Sequence, residues 1–300
     1  MKNTITRRRI PLVIAAALIV AMSYFNQNCF FKTQSIKAID SYAQIADVLN
    51  NADKNTLVVF DVDDTLIVSP TTQFRTTNIE KNSDWLRQVL KPAMKKTDKS
   101  KGYLMSIRKA QETPVLIEPN IPQMISSLQA RGVKVLALTA IKSGSEWTIP
   151  FLPEWRYNKL KEIGIDFSSA DFPDMVFAGL PDEKDPSKMI EGAVLFHGIL
   201  CTNRVSKGAL LAAFLEQIEW KPSLVIFFDD ALKRVESVVD AMCKRSIPCE
   251  GFHYLGAHYM PDDLPKDVVA LQLNYLAEHE TWISEDEARA LLAQEKQIAF

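Results

Sequence analysis

Leu57-Val58-Val59-Phe60-Asp61-Val62-Asp63-Asp64-Thr65-Leu66 is the stretch on which the reading of this chain turns. Four apolar residues run into three carboxylates within four positions, and a threonine and a leucine follow. An uninterrupted apolar run of this length is the pattern of a parallel strand buried on both faces. In an open α/β sheet, ligands lie beyond the carboxyl ends of the strands. Like charges crowded at such a place are unfavourable unless a cation or a reaction requires them. The segment points to phosphoryl transfer assisted by Mg2+.

Outward from this strand, apolar and helical segments alternate. Residues 26–38 read as a linker. Ile39, Tyr42, Ile45, Ala46 and Leu49 have the spacing of a leading helix over 39–49. Further strands are expected at 133–138, 175–177, 224–228 and 248–254, and within 193–201, where His197-Gly198 suits a hairpin. Helices are expected from Ile121 to Arg131 with Gly132 as the stop, and over 155–163, 208–218 and 231–243. A capping box, Ser284-Glu285-Asp286-Glu287, opens the last one. This alternation predicts the α/β class with a doubly wound parallel sheet. The domain is expected to span 39–300. Residues at about 70–117, which include five lysines between Lys91 and Lys101, suit a small helical cap insertion. A second insertion is expected at about 143–190.

The chain has 300 residues, 47% of them hydrophobic, enough for a large core. Its net charge is −2, and residues 1–31 hold Lys2, Arg7, Arg8 and Arg9 without an acid, so the remainder is mildly acidic. That balance leaves no electrostatic footprint for nucleic acid. Arg7-Arg8-Arg9 precedes an uncharged apolar run over 10–25, short for a membrane span and suited to a signal peptide. Ala21 and Ser23 offer a cleavage site; an uncleaved anchor is the alternative. Either reading of residues 1–31 makes the protein exported, periplasmic or secreted. The residues before Cys29 do not resemble a lipoprotein signal. Cys243 and Cys249 could form a bridge or stay as buried thiols. No His/Cys cluster suggests zinc, and no obligate protein partner is inferred.

Three later strand ends carry polar groups. The 133–138 strand leads into Thr139, whose hydroxyl and neighbouring N–H groups can bind a phosphate oxygen. Lys207 heads the 208–218 helix, a place the macrodipole opposes unless a bound dianion shares it; Arg204 competes for that role. The 224–228 strand ends in Asp229-Asp230, readable as metal ligands or, for Asp230, as the N-cap of the next helix. In this order, Asp61-Val62-Asp63-Asp64-Thr65, Thr139, Lys207 and Asp229-Asp230 resemble the four motifs of the haloacid dehalogenase (HAD) superfamily of phosphohydrolases, over about 57–254. With the export signal, the chain also looks like exported bacterial acid phosphatases of that superfamily.

The resemblance implies a HAD-like Rossmannoid core with a cap. It makes Asp61 the nucleophile and Asp63 the general acid and base, with Thr139 and Lys207 binding phosphate. Asp61, the Asp63 main-chain carbonyl, Asp229 and Asp230 would hold Mg2+. The expected activity is hydrolysis of a small phosphorylated substrate through an aspartyl-phosphate. A phosphotransferase and a non-catalytic exported binding protein are the alternatives. A receiver-like phosphoacceptor fits less well, because its acidic pair precedes the phosphoacceptor aspartate. One departure stands out: where the paired-aspartate form often has Asn or Asp a turn later, this chain has Lys233 and Arg234. Trp85, Tyr103, Trp147, Trp155 and Tyr157 are candidate substrate contacts, or core aromatics of the insertions.

Overall fold

Apolar runs that cannot be left in water fold here into the middle of one sheet. The computed structural model describes residues 34–261 and 263–298. In spatial order the sheet holds β1 (Gln34–Ile39), β12 (Cys249–Tyr254), β11 (Leu224–Asp229), β2 (Thr56–Phe60), β5 (Lys134–Thr139), β10 (Ile199–Cys201), β9 (Ala193–Phe196) and β6 (Met175–Phe177). From β1 to β10 neighbouring strands are parallel, and β9 and β6 extend the edge in antiparallel fashion. The turn between β9 and β10 uses His197 and Gly198, both at positive φ.

Successive side chains of a strand point to opposite faces, so each central strand feeds two cores. Val58, Phe60, Val135, Ala137, Ile226 and Phe228 enter one, with Leu49 of α1 (Ala46–Asn50), Ile121, Ile125 and Leu128 of α4 (Ile121–Ala130), and Leu160 of α5 (Leu152–Glu162). Leu57, Val59, Leu136, Leu138, Val225 and Phe227 enter the other. There they meet Leu210 and Phe214 of α6 (Lys207–Gln217) and Val235, Val238 and Met242 of α7 (Leu232–Lys244). The result is a mixed α/β fold, a mostly parallel sheet with helices on both faces.

Three readings of the sequence need correction. Residues 34–38 are no linker: β1 adds an edge strand, paired with β12 from Gln34↔Cys249 to Ile39↔Tyr254. The helical spacing from Ile39 is taken up only at Tyr42. Ser41, which accepts the Ala43 N–H at 3.2 Å, starts a 3-10 turn over Tyr42–Ile45 that leads into α1. Second, of the alternatives left open for Cys243 and Cys249, a bridge between the two does not form: Cys249 is a free thiol buried in the second core, and burial pushes that thiol up to about 12. Third, Lys266–His279 forms a helix, α8, that the sequence reading did not identify.

The chain leaves the sheet through β3 (Ile67–Val68) and returns through β4 (Val115–Leu116), which pair antiparallel. Between them lie α2 (Thr76–Ala93) and α3 (Lys101–Gln111). These helices do not close a core alone: Leu90, Leu104 and Ile107 pack with Val269, Leu273 and Leu276 of α8 and with Trp282. The last helix, α9 (Glu285–Ile298), opens with the expected capping box: Glu287 N–H donates to Ser284 Oγ, and Ser284 N–H to the Glu287 carboxylate. A further small antiparallel pair joins β7 (Leu180–Pro181) to β8 (Met189–Ile190). The expected targeting segment, residues 1–31, lies outside the described residues. Among the described residues, no helix is long and apolar enough to cross a membrane.

Gly208, in the first turn of α6, lets that helix approach α7 closely. A Cβ there would fall 2.1 Å from the Ser237 carbonyl oxygen, a backbone atom that cannot step aside. Gly208→Ala gains about 1 kcal/mol of helix propensity but loses about 1–3 kcal/mol by overpacking. The expected outcome is a lower urea midpoint at unchanged m-value. A higher midpoint would mean that α6 and α7 do not touch at this point.

Candidate functional site

The order of the sheet places the site. From β2 the chain builds outward to β5 and β10 on one side, then crosses back to lay β11 and β12 on the other. Ligands bind at such a switch point, in the crevice beyond the carboxyl ends of the strands. Asp61 follows β2 directly, and its N–H donates to the Phe228 carbonyl of β11 at 2.8 Å. Asp229 ends β11. Beneath the acids, the Phe60, Phe228 and Phe252 rings stack at 4.9 and 5.0 Å between centroids, a stiff apolar platform.

The carboxylates of Asp61, Asp229 and Asp230 gather with one oxygen of each within 4.8 Å of the others. Lys207, buried at the first turn of α6, reaches two of them, Asp61 Oδ1 at 2.5 Å and Asp229 Oδ2 at 2.6 Å. Arg234, in the first turn of α7 and about one-third exposed, places Nη1 3.8 Å from Asp61 Oδ2, 3.8 Å from Asp229 Oδ1 and 3.7 Å from Asp230 Oδ1. Burial raises the Asp61 carboxyl above its usual range; Lys207 opposes that rise and the Asp229 charge adds to it. Burial, followed by the Asp61 and Asp229 charges, pushes Asp230 up to about 8. For Arg234 burial pulls down, and the three carboxylates overcome it to hold the guanidinium above its usual value. Three acids thus share two cations.

Hydrogen bonds fix the remaining geometry. After β2 the Val62 carbonyl accepts from the Leu66 and Ile67 N–H groups, closing a tight turn in which Asp64 takes a left-handed φ of 58°. Thr65 Oγ1, buried within that turn, accepts from the Asp230 N–H at 3.1 Å and lies 3.4 Å from Asp61 Oδ2, to which it donates. Asp229 Oδ1 accepts the Ala231 N–H at 2.9 Å. So Asp229, and not Asp230 as read from the sequence, satisfies the first N–H ahead of α7. Asp230 Oδ1 and Thr139 Oγ1 are buried without a hydrogen-bond partner. Thr139 ends β5, two residues past Ala137, the partner of Phe60.

Asp63 stands apart from the carboxylate cluster. Its side chain is largely exposed, and Arg156 Nη2 holds both oxygens, at 2.9 and 2.8 Å. Arg156 comes from α5 and is itself buried. Asp63 lines a cavity of about 230 Å3 between the sheet and the α2–α3 helices, with Phe74, Arg108, Trp155 and Arg156 among its walls.

Of the residues singled out in the sequence, Asp61, Lys207, Asp229 and Asp230 therefore meet directly. Arg204 does not compete for the place of Lys207: it is mostly exposed and pairs with Asp182. Trp155 lines the cavity, whereas Trp147 is exposed and the Tyr103 hydroxyl donates to Glu280. Sequence reasoning missed Arg156 altogether and met Arg234 only as a departure. The one available signal was the placement of Arg234 five residues after Asp229, one helical turn past the acidic pair.

The chain belongs to the family described as "Protein of unknown function (DUF2608)", whose sequence profile matches residues 33–289. It is 23% identical over 287 residues to an uncharacterized protein of Rickettsia prowazekii (strain Madrid E), covering 95% of this chain and 99% of that one. It is 23% identical over 264 residues to a Chlamydia trachomatis serovar D protein named "Putative outer membrane protein", covering 88% and 92% of the two chains. An uncharacterized protein of Rickettsia bellii is 24% identical over 149 residues, about half of each chain. No solved structure matches.

The charge balance makes the site asymmetric to substitution. Lys207→Met leaves Asp61 and Asp229 buried without their shared cation and should lose about 3–5 kcal/mol of stability. Asp61→Asn removes one of the two carboxylates that share Lys207, leaves Lys207 paired with Asp229, and should be neutral or stabilising. Urea denaturation of both variants checks this; equal losses would mean that the cluster is not under electrostatic strain.

Proposed function

For this DUF2608 member we propose a Mg2+-dependent phosphomonoester hydrolase that works through an aspartyl-phosphate on a HAD-like core. One observation carries the reading: Asp61, Asp229 and Asp230 converge with one oxygen of each within 4.8 Å of the others at the switch point of the sheet, and buried Lys207 bridges Asp61 and Asp229. Three hard oxygen donors in a cluster short of positive charge suit a divalent cation of the Mg2+ type. Asp230 Oδ1 makes no hydrogen bond, and its nearest cation is Arg234 at 3.7 Å. Asp61, Asp229 and Asp230 would hold the ion, with the Asp63 carbonyl as the resemblance implies. Bound there, Mg2+ would offset the charge of a phosphate dianion and polarise the phosphoryl group.

The chain's own groups supply the chemistry. An Asp61 oxygen attacks phosphorus while the bond to the leaving oxygen breaks, and Asp63 delivers a proton to that oxygen. Water then attacks the aspartyl-phosphate, Asp63 takes its proton, and Asp61 is regenerated as inorganic phosphate leaves. The Thr139 hydroxyl, buried and without a partner, is available for a non-bridging oxygen. Lys207 is the nearby ammonium for the charge that builds up in the transition state.

A second reading, a non-catalytic binding protein, is favoured by one contact: Arg156 keeps both oxygens of Asp63 occupied. Export fits either reading. Arg7-Arg8-Arg9 with the apolar run over 10–25 supports it, as does the outer-membrane name of the Chlamydia relative; residues 10–25 serve as a cleaved signal or an anchor.

Mg2+-dependent phosphate release from p-nitrophenyl phosphate is the test. Asp61→Asn should lose activity by several orders of magnitude, and Thr139→Val by roughly 10²–10³-fold. No Mg2+-dependent turnover across a broad phosphate panel would decide for the binding protein. Arg234→Ala frees the three carboxylates of a competing cation and should tighten Mg2+ binding by about tenfold, or 1.4 kcal/mol, in calorimetry. Weaker binding would mean that Arg234 helps to organise the ligands.

A further inference from the structure

The pair between Arg156 and Asp63 stands against the role proposed for Asp63 and bears on what the site can bind. Arg156 Nη2 bonds both oxygens of Asp63, at 2.9 and 2.8 Å, so neither is turned toward a leaving oxygen. Asp63 must therefore be released for the reaction. Arg156 is buried, and among the described residues its hydrogen bonds go to Asp63 alone, through Nη2; its Nε has no partner. A buried guanidinium stripped of its one anion is strongly destabilised. Asp63 can leave only if another anion arrives.

Among the described residues, none is a ready replacement inside the cavity. The other acids along its wall are Asp64 and Glu112. Asp64 accepts from the Thr76 hydroxyl, and Glu112 is held by Arg108, Thr71 and Ser69. Lys109 and Lys159 bring further positive charge to the wall, paired outward with Glu146 and Glu162. Two more buried donors on residues of this wall lack partners, Arg108 Nε and Trp155 Nε1. The same wall carries Phe74, whose ring stacks under the Arg108 guanidinium at 3.9 Å. It is thus short of acceptors and rich in donors, next to the residue that must protonate the leaving group.

We propose that this cavity takes the leaving group of a small phosphomonoester bearing a second anionic group, and that this group replaces Asp63 as the partner of Arg156. The inference rests on the phosphatase reading. Substrate recognition and release of the proton donor become one event: an alkyl phosphate with a neutral leaving group frees Asp63 less readily than one with an anionic leaving group, whereas p-nitrophenolate departs without a proton from Asp63. At about 230 Å3 the cavity suits a leaving group of a few carbon atoms carrying a carboxylate or a second phosphate.

Binding separates this inference from catalysis. Calorimetry of the full chain in Mg2+ would compare 3-phosphonopropionate with propylphosphonate, which share the phosphonate and differ in the terminal carboxylate. The carboxylated ligand should bind at least about tenfold tighter. Arg156→Met should erase the difference, while Arg156→Lys, which keeps the charge and loses the planar set of donors, should retain part of it. Circular dichroism confirms that each variant folds. Equal affinities in the unaltered protein, no binding of either ligand, or a preference that survives Arg156→Met would each overturn the assignment. Turnover is read in parallel, with 3-phosphoglycerate against glycerol 3-phosphate. A carboxylate preference in binding without hydrolysis of any ester keeps the cavity assignment and removes the phosphatase. Hydrolysis of both esters at equal kcat/KM does the reverse.

Discussion

The ammonium of Lys207 is the interaction on which the site depends. It is buried between Asp61 and Asp229, two carboxylates on adjacent parallel strands that would otherwise repel each other in a poorly solvated crevice. Breaking a buried ion pair by removing one partner is far more costly than the pair is worth in water. The lysine therefore ties the head of α6 to the ends of β2 and β11. That tie needs the helix to sit close, which Gly208 permits by allowing the backbone of α6 against Ser237 of α7. Sheet order, helix approach and charge pairing are one constraint seen at three scales.

The helical layer over the site has a different origin. Helices α2 and α3 share their apolar cluster with a distant part of the chain, the kind of support that a small module with little core of its own needs. It comes from α8, more than 150 residues later in the chain, through Val269, Leu273 and Leu276. The cavity beside Asp63 is thus walled by pieces whose packing is closed by the C-terminal part of the chain. Its shape depends on residues far in sequence from every group assigned to the chemistry.

The legible parts of the sequence were those where one local pattern dominates. The runs ending at Phe60, Leu138 and Phe228 announce buried parallel strands because both faces are apolar, and the acids after them stand out against that background. Ser284 with Glu287 announces a helix start because both partners of the capping box are present. β1 was hidden because an edge strand is half exposed, and Ser35-Ile36-Lys37-Ala38 looks like a polar linker until β12 is beside it. The free thiol of Cys249 could not be told from a bridged one by spacing, since only the pleat of β12 decides which way it points. Arg156 could not be found at all. Its role is set by where α5 returns to the sheet, 93 residues after Asp63, and nothing local to either residue marks the pair.

Two arginines lying outside the motifs hold the acids that the motifs supply. Arg234 faces the carboxylate cluster as a cation, and Arg156 occupies Asp63. Each neutralises charge that a fold without ligands would otherwise leave uncompensated, so each has a structural reason to be there. The same pairs set the terms on which anything else can bind. A ligand gains little by adding a charge where the protein has already supplied one; it gains by replacing a partner, and exchange favours the ligand whose charges match those displaced. On the proposed reading, a cation at the cluster and an anion at Arg156 are the two replacements that leave no buried charge alone.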